Sequence, residues 1–247
     1  MFELILNIIF GVRNLLISDR LKMVVGCAKN CDLLVDVGTD HAYIPIFLVE
    51  NKIAKRAIAC DISKGSIEKA DKNIRLHNYT DFIETRVGDG LKVIKQDETP
   101  DQIIIAGMGG MLTIDILNNS KDVVRLADRL ILQPQRDIDK VRRTVHKLGF
   151  KIIDEKMLFE DGKYYNVIVS EKGQDLPYSD EDYFFGKILL QNKDEILNRQ
   201  VEFEYNKIKR VISEMQEKAN DGKNEQQFLD RLAELKEKRA CYEKVLF

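Results

Sequence analysis

Residues 35–45, VDVGTDHAYIP, join a short apolar run to a polar turn. The apolar residues predict a buried strand, and Gly38 permits the tight turn that leads from a strand into a helix. Such turns bring backbone amides close to a ligand in dinucleotide-binding folds, but the later glycines of that fingerprint are missing here. Asp40 and Tyr43 stand in their places. Asp36 and Asp40 would repel a pyrophosphate, so the turn favours a ligand that carries positive charge.

Short apolar runs alternate with amphipathic stretches through the first two-thirds of the chain. The predicted strands are LLVDVG, AIACDI, FIETRV, QIIIAGM and RLILQPQ, and the segments between them have helical periodicity. This alternation predicts a parallel sheet with helices on both faces. Two further strand-like runs, KIIDEKMLFE and KYYNVIVS, are joined through Asp161 and Gly162, a hairpin signal. An α/β sheet of parallel strands that ends in an antiparallel strand resembles the Rossmann-like sheet of class I methyltransferases.

The chain is predicted to contain two units. Residues 1–173 would form the α/β domain, with residues 1–15 as an amphipathic extension helix, and a linker surrounds Pro177. Residues 180–247 are highly charged, and their apolar residues recur at helical spacing. The pattern predicts two helices joined at residues 220–222, which form an antiparallel hairpin or coiled coil.

Composition limits the classes of function. The formal net charge is -2, which argues against nonspecific coating of nucleic acid. The four cysteines form no CxxC pair and no zinc-type spacing, so we expect reduced thiols, no metal site and a cytoplasmic location. The apolar runs are too short to span a membrane. A monomer is favoured.

Two more acids follow predicted strands. Asp61 ends AIACD and precedes Ile62, and Asp89 lies in VGDGL, beside Gly90. Asp61 could accept hydrogen bonds from ribose hydroxyls, and Asp89 could accept one from an adenine amine. S-Adenosylmethionine has both groups, carries an ammonium and a sulfonium, and lacks a pyrophosphate. Each aspartate alone could equally be a helix cap or a turn residue.

The fourth strand ends in the glycine-rich segment IIIAGMGGM. Gly107, Met108 and Gly109 bring the backbone close to the far half of the crevice at the strand ends. Many enzymes that methylate amines place an Asn or Asp followed by prolines here, and this chain does not. The loop therefore favours a ring nitrogen with a free lone pair as the acceptor. A simple glycine-rich helix entry is the alternative.

Taken together, VDVGTDHAYIP, AIACDIS, GDGL, IIIAGMGGM and LILQPQ resemble the bacterial TrmK family of tRNA (adenine(22)-N(1))-methyltransferases. The resemblance spans about residues 16–247. It implies methyl transfer from S-adenosylmethionine to N1 of one adenosine in the D region of tRNA. The cofactor-binding residues it implies are Asp36, Gly38, Asp40, Asp61, Ile62, Asp89, Gly90, Gly107, Met108 and Gly109.

Three side chains are the candidate catalytic residues. His41 and Tyr43 project from the first turn, and Gln133 lies in LQPQ. We expect them to neighbour the methyl donor or the target base. Adenine N1 carries no proton at neutral pH, so it can attack the methyl group without a general base, and catalysis would rest on positioning. The adenosine must first leave its base pair or stack, and Tyr43 or Tyr165 could stack on it.

Basic residues on predicted helices supply candidate contacts to tRNA phosphates. The candidates are Arg136, Arg142, Arg143, Lys209 and Arg210. Acidic residues interleave with them, so each cluster could instead be an ordinary solvated helix face.

Three other functions stay open at this stage. A Rossmann oxidoreductase would share the fold class, although Asp40 argues against a pyrophosphate. A methyltransferase acting on another RNA base would share the cofactor motifs, which do not specify the acceptor. A nonenzymatic RNA-binding scaffold would work through the helical hairpin alone.

Overall fold

The computed structural model describes Leu15, residues 17–218 and residues 225–246. The predicted extension helix, apart from Leu15, and the predicted turn at residues 220–222 lie outside the described residues. The chain divides into two units, the first ending at Pro177 and the second beginning at Tyr178.

The first unit is built on a seven-stranded sheet. Its strands are β1 (Cys31–Val37), β2 (Ala54–Asp61), β3 (Ile83–Val87), β4 (Gln102–Met108), β5 (Arg129–Pro134), β6 (Phe150–Glu160) and β7 (Lys163–Lys172). They lie in the order β3-β2-β1-β4-β5-β7-β6. Pairing is parallel from β3 to β5, and β7 is antiparallel to both β5 and β6. The predicted methyltransferase-type sheet is therefore confirmed.

Helices connect and cover these strands. They are α1 (Asp19–Val25), α2 (Tyr43–Glu50), α3 (Lys64–Leu76), α4 (Gly110–Asn119), α5 (Lys121–Leu126) and α6 (Ile138–Lys147), with a 3-10 turn at Gly90–Val93. All five residues from Leu33 to Val37 on β1 are buried. Because successive side chains on a strand point to opposite faces, this continuous burial shows that both faces of β1 are covered.

The hairpin between β6 and β7 turns where the sequence predicts it. Asp161 has φ 49° and Gly162 has φ 75°, so both central residues occupy the left-handed region that a two-residue hairpin turn of type I′ requires. Ten residue pairs join the two strands, with one irregularity between Ile152 and Asp154. The turn sequence thus sets the register of the last two strands.

The second unit is helical. A short π-helical turn at Asp182–Gly186 leads into α7 (Lys187–Gln191), followed by α8 (Glu195–Lys218) and α9 (Glu225–Leu246). The hydroxyl of Tyr205, in the first half of α8, donates to Glu243 near the end of α9 at 3.1 Å, as expected for antiparallel helices. Buried residues of this unit include Leu197, Val201, Ile208, Ile212, Leu235 and Tyr242. None of the described helices is long and apolar enough to cross a membrane.

Candidate active site

The turn after β1 is tightly constrained. Gly38 has φ +79°, a conformation that other residues rarely adopt, and a Cβ atom there would lie 1.9 Å from Cε of Met108, so another residue would be strained and would displace the end of the Met108 side chain. His41 (φ 63°) and Ala42 (φ 53°) follow, two consecutive non-glycine residues in the left-handed region. The side-chain amide of Asn73 donates to the carbonyl oxygen of His41 at 2.7 Å and holds this turn. Backbone strain maintained in this way is typical of functional sites.

Asp36 is a buried carboxyl group at the end of β1. Its residue is 4% exposed. The pKa of Asp36 is raised to about 7, chiefly by burial; the hydroxyl of Thr39 opposes this shift, and the nearby charge of Asp61 adds to it. A carboxylic acid with this pKa changes charge near neutral pH, and a cation bound beside it would favour the ionised form.

A cavity of about 320 Å³ opens at the carboxyl ends of β1 and β4. It is lined by Arg20, Leu21, Asp36, Gly38, Thr39, Asp40, Tyr43, Ile44, Ala106, Gly107 and Gln135. Ligands of open α/β sheets bind in this crevice. One cavity thus contains one predicted catalytic residue, Tyr43, and four predicted cofactor residues: Asp36, Gly38, Asp40 and Gly107. The ring of His41 stacks on that of Tyr43, with centroids 5.3 Å apart.

Gln133 lies behind the wall of this cavity. The residue is 1% exposed. Its Oε1 accepts hydrogen bonds from a guanidinium nitrogen of Arg20 at 2.9 Å and from the backbone N–H of Gly107 at 3.1 Å. Its Nε2 is buried and has no hydrogen-bond partner among the described residues. Gln133 therefore bonds two groups of the cavity wall, and the lining itself contains Gln135 and not Gln133.

The glycine loop after β4 is packed against the segment after β5. Gly107 has φ +79°, and its carbonyl oxygen accepts from the side chain of Gln135 at 2.8 Å. A Cβ atom at Gly110 would lie 2.1 Å from the carbonyl oxygen of Arg136. This close approach fixes Arg136, whose side chain is exposed, at the start of α4.

The adenosine-binding candidates lie at the ends of β2 and β3. The carboxylate of Asp61 accepts from the backbone of Ser63 at 2.7 Å, and the carbonyl oxygen of Asp61 accepts from Gly88 at 2.9 Å. Asp89 is exposed and pairs with Lys92 at 2.5 Å. Ile62 is 74% exposed, although it is a large apolar side chain beside a carboxylate. These residues offer hydrogen-bond acceptors next to an apolar surface, a combination that suits a nucleoside.

The prediction that Arg142 contacts RNA is wrong. The residue is 1% exposed, and its Nε donates to Oε1 of Glu155 on β6 at 2.6 Å. The cluster of basic residues on α6 suggested a solvated face, but the helix turns Arg142 inward against the sheet. A buried arginine requires a charged partner, and Glu155 supplies it.

The other predicted RNA contacts have different environments. Arg143 is half-buried, whereas Arg136, Lys209 and Arg210 are exposed. On α8, the ammonium of Lys209 lies 5.3 Å from the ring centroid of Tyr205, and Arg210 lies 3.6 Å from Glu214. Exposed cations of this kind can exchange such weak surface partners for phosphates.

Two cavity residues, Arg20 and Leu21, lie outside every sequence motif that predicted the site. They lie on α1, which precedes the first strand and belongs to none of the glycine or aspartate motifs. Gln135 belongs to the quoted segment LQPQ, where the alternation of a strand could have indicated that Gln133 and Gln135 share a face.

Known proteins match this chain over most of its length. The family model described as "tRNA (adenine(22)-N(1))-methyltransferase" matches residues 34–237. The curated protein of that name from Bacillus subtilis is 34% identical over 234 residues, which cover 92% of this chain and 98% of the relative. The structure of Streptococcus pneumoniae Sp1610 in complex with S-adenosyl-L-methionine has a TM-score of 0.81 and 32% identity, covering 94% of this chain and 100% of the other. The structure of M. capricolum TrmK in complex with S-adenosylhomocysteine also has a TM-score of 0.81, with 26% identity, covering 93% of this chain and 97% of the other.

The family model covers well over half of this chain, and the curated relative extends along nearly all of both sequences. The matched region contains the features that form the site: the glycine turn after β1, the acids at three strand ends and nearly all of the sheet. The chain belongs to the TrmK family of tRNA (adenine(22)-N(1))-methyltransferases.

Proposed function

We infer that this chain transfers a methyl group from S-adenosylmethionine to N1 of adenosine 22 of tRNA. The observation that carries the inference is the cavity at the ends of β1 and β4, in which Asp36 and Asp40 face the glycine loop. Family membership specifies the acceptor. The two carboxyl groups of the lining suit a cationic methyl donor, and the glycine loop lets an acceptor base come close to that donor. The methyl transfer needs both.

The residues of this crevice fit S-adenosylmethionine. When bound, the cofactor supplies an electrophilic methyl group on a sulfonium. Asp36 and Asp40 provide negative charge for its cationic end. Asp61 provides an acceptor for ribose hydroxyls, and the exposed side chain of Ile62 provides an apolar surface for adenine. A Rossmann oxidoreductase would need a pyrophosphate in the turn that holds both carboxyl groups.

The chain's own residues position the acceptor. Adenine N1 has a free lone pair at neutral pH, so no residue has to remove a proton before the methyl group is transferred. Tyr43 lines the cavity, and its stacking on His41 limits the motion of both rings. We propose that Tyr43 stacks on the extruded base and that Gly107 permits its close approach. Holding the reacting atoms in line can supply much of the rate enhancement.

We propose that exposed cations of both units hold the tRNA backbone. Arg136 stands beside the glycine loop, and Lys209 and Arg210 stand on α8. Residues 1–173 would then carry the chemistry and residues 180–247 would contribute to tRNA binding. The enzyme acts as a cytoplasmic monomer in this proposal, and size-exclusion chromatography with light scattering tests the oligomeric state.

Methylation of unmodified tRNA tests the function directly. Purified protein is incubated with labelled S-adenosylmethionine and transcribed tRNA, and the nucleosides are analysed by mass spectrometry. We expect 1-methyladenosine, and we expect it to vanish when adenosine 22 is replaced by guanosine. If the protein binds the cofactor but does not methylate tRNA, tRNA is not the acceptor. If both transcripts are methylated, adenosine 22 is not the target.

Salt dependence tests the backbone contacts. Removing one phosphate contact reduces the slope of log affinity against log salt concentration by roughly one. Arg136→Ala and the pair Lys209→Ala with Arg210→Ala should each lower the slope. Arg125→Ala is the matched control, because Arg125 is an exposed cation on α5, just before the opposite end of β5. If the slope is unchanged in Arg136→Ala and in the double variant of Lys209 and Arg210, these residues do not contact tRNA phosphates.

A further inference from the structure

We propose that Gln135 accepts a hydrogen bond from the exocyclic amine of the target adenine and thereby selects adenine over guanine. The inference deepens the proposed function and rests on it, because it assumes that an adenosine is the methyl acceptor. Gln135 directly follows β5, and its exposed side chain lines the same cavity as Asp36, Asp40 and Tyr43. Its neutral amide can both donate and accept hydrogen bonds.

Two hydrogen bonds hold Gln135 against the glycine loop after β4. Its backbone N–H donates to the carbonyl oxygen of Met108 at 2.8 Å, and its side-chain Nε2 donates to the carbonyl oxygen of Gly107, also at 2.8 Å. The second bond fixes the orientation of the amide, because the reversed group would place its own oxygen against that of Gly107. The side chain is therefore oriented before a base arrives.

The oxygen of the same amide is an available acceptor. Among the described residues, none donates a hydrogen bond to Oε1 of Gln135. By contrast, Oε1 of Gln133, two residues earlier, accepts from Arg20 at 2.9 Å and from the backbone N–H of Gly107 at 3.1 Å. Of the two glutamines of LQPQ, Gln133 thus uses its oxygen within the protein, whereas the oxygen of Gln135 is left for a ligand of the cavity.

The Watson–Crick edge of adenine matches this acceptor. The reactive N1 carries a lone pair, and the amine beside it carries two N–H donors, so one of them can donate to Oε1 of Gln135 while N1 faces the methyl group. Guanine has an oxygen in place of the amine and a proton on N1. Its oxygen would meet Oε1 of Gln135 with no hydrogen between them, and this repulsion rejects the wrong base.

The same hydrogen bond becomes stronger as the methyl group is transferred. The lone pair of N1 forms the bond to the methyl carbon, the electron pair of the broken carbon–sulfur bond stays on sulfur, and the positive charge passes to the base. Because N1 and the exocyclic nitrogen share that charge, the amine becomes a charged donor, and its hydrogen bond strengthens. Gln135 therefore stabilises the transition state more than the bound adenosine, which raises kcat.

Asp40 is the competing acceptor for the amine. Its carboxylate lies 3.7 Å from the ammonium of Lys69 and 3.7 Å from Nε2 of His41, so the protein already supplies it with neighbours. Asp40 also belongs to the turn after β1, which carries the cofactor motif. Gln135 is bonded directly to the glycine loop that the base approaches. The amine is therefore assigned to Gln135.

Methylation of two tRNA substrates tests the assignment. They carry adenosine or purine riboside at position 22, and purine riboside retains N1 but lacks the exocyclic amine. Gln135→Met should lower kcat for the adenosine substrate about 10- to 100-fold with little change in KM. With purine riboside, the wild type and Gln135→Met should differ less than about threefold, because the acceptor then has no donor to bind. Gln135→Glu keeps an acceptor and loses the Nε2 donor, and it should recover part of the lost rate with adenosine.

The controls separate recognition of the amine from support of the loop. Gln96→Met is the matched control, because Gln96 is an exposed glutamine outside the cavity lining, and its kinetics should equal those of the wild type. Equal rates of the wild type on both substrates would overturn the assignment without any variant. An equal loss with both substrates in Gln135→Met, or no recovery in Gln135→Glu, would mean that Gln135 only holds the loop and would also overturn it. Failure of the wild type to methylate the adenosine substrate would instead refute the proposed function.

Discussion

Lowering the pH from 7.5 to 5.5 should weaken the binding of S-adenosylmethionine to this enzyme about 25-fold. The perturbed group is Asp36, whose pKa burial raises to about 7. Below that pH the folded protein carries a neutral acid in the cavity, and a cationic ligand favours the ionised form. Part of the binding free energy is then needed to remove the proton.

The magnitude follows from the fraction of Asp36 that is ionised before the ligand binds. With a pKa of about 7, roughly three-quarters of the molecules are ionised at pH 7.5 and about 3% are ionised at pH 5.5. If only the ionised form binds, the apparent affinity falls by the ratio of these fractions. The charged groups that face Asp36 are Asp61 at the end of β2 and, across the cavity, Arg20 and Asp40.

Calorimetric titration at several pH values measures this effect, with Asp36→Asn as the control. Histidine side chains also titrate in this range, and the α-amino group of the ligand titrates just above it. The Asn variant retains His41 and is titrated with the same ligand, so its pH profile shows what groups other than Asp36 contribute. We expect a flat profile for the variant between pH 5.5 and 7.5. A wild-type affinity that varies less than about threefold over this range would refute the reasoning.

Three further predictions concern stability and binding. Arg142→Ala should lower the free energy of unfolding by about 3–5 kcal/mol, because it removes the buried cation that is bonded to the buried carboxylate of Glu155; denaturant unfolding measures this, and a loss below about 1 kcal/mol would contradict it. Since the pKa of Asp36 rises from 3.8 to about 7 on folding, the unfolded state releases that proton first, and wild-type stability should fall by roughly 2 kcal/mol between pH 5 and pH 7. Asp36→Asn should lack this component, and identical pH profiles of the two proteins would contradict it. Asp61→Ala should weaken cofactor binding about 10-fold, whereas Asp32→Ala, which removes an exposed carboxylate from the opposite end of the sheet, should leave it unchanged.

The strands were predictable because each is a short apolar run followed by a polar turn. The acid or glycine that ends each run also marks the carboxyl edge of the sheet, so Asp36, Gly38 and Gly107 could be placed together before the structure was known. The hairpin was predictable because Asp161 and Gly162 both tolerate the left-handed region. These features depend on residues that are close in sequence.

Arg142 and Arg20 show what sequence patterns did not reveal. The partner of Arg142 is Glu155, on a strand that begins after the helix has ended, and nothing on α6 itself distinguishes Arg142 from its exposed neighbours. Arg20 reaches the cavity only because α1 packs near the ends of β4 and β5, where it meets Gln133, 113 positions along the chain. Both environments are created by contacts between distant segments, which periodicity and motif spacing do not encode.

The position of β7 in the sheet has a consequence for synthesis on the ribosome. β7 is the last strand of the first unit to be translated, yet it lies inside the sheet, between β5 and β6. Until it emerges, β5 has an unpaired edge, and β6 has no neighbour to join it to the sheet. Unpaired edges expose backbone N–H and C=O groups to other nascent chains. The order of translation therefore makes the last strand the one that protects the growing protein from aggregation.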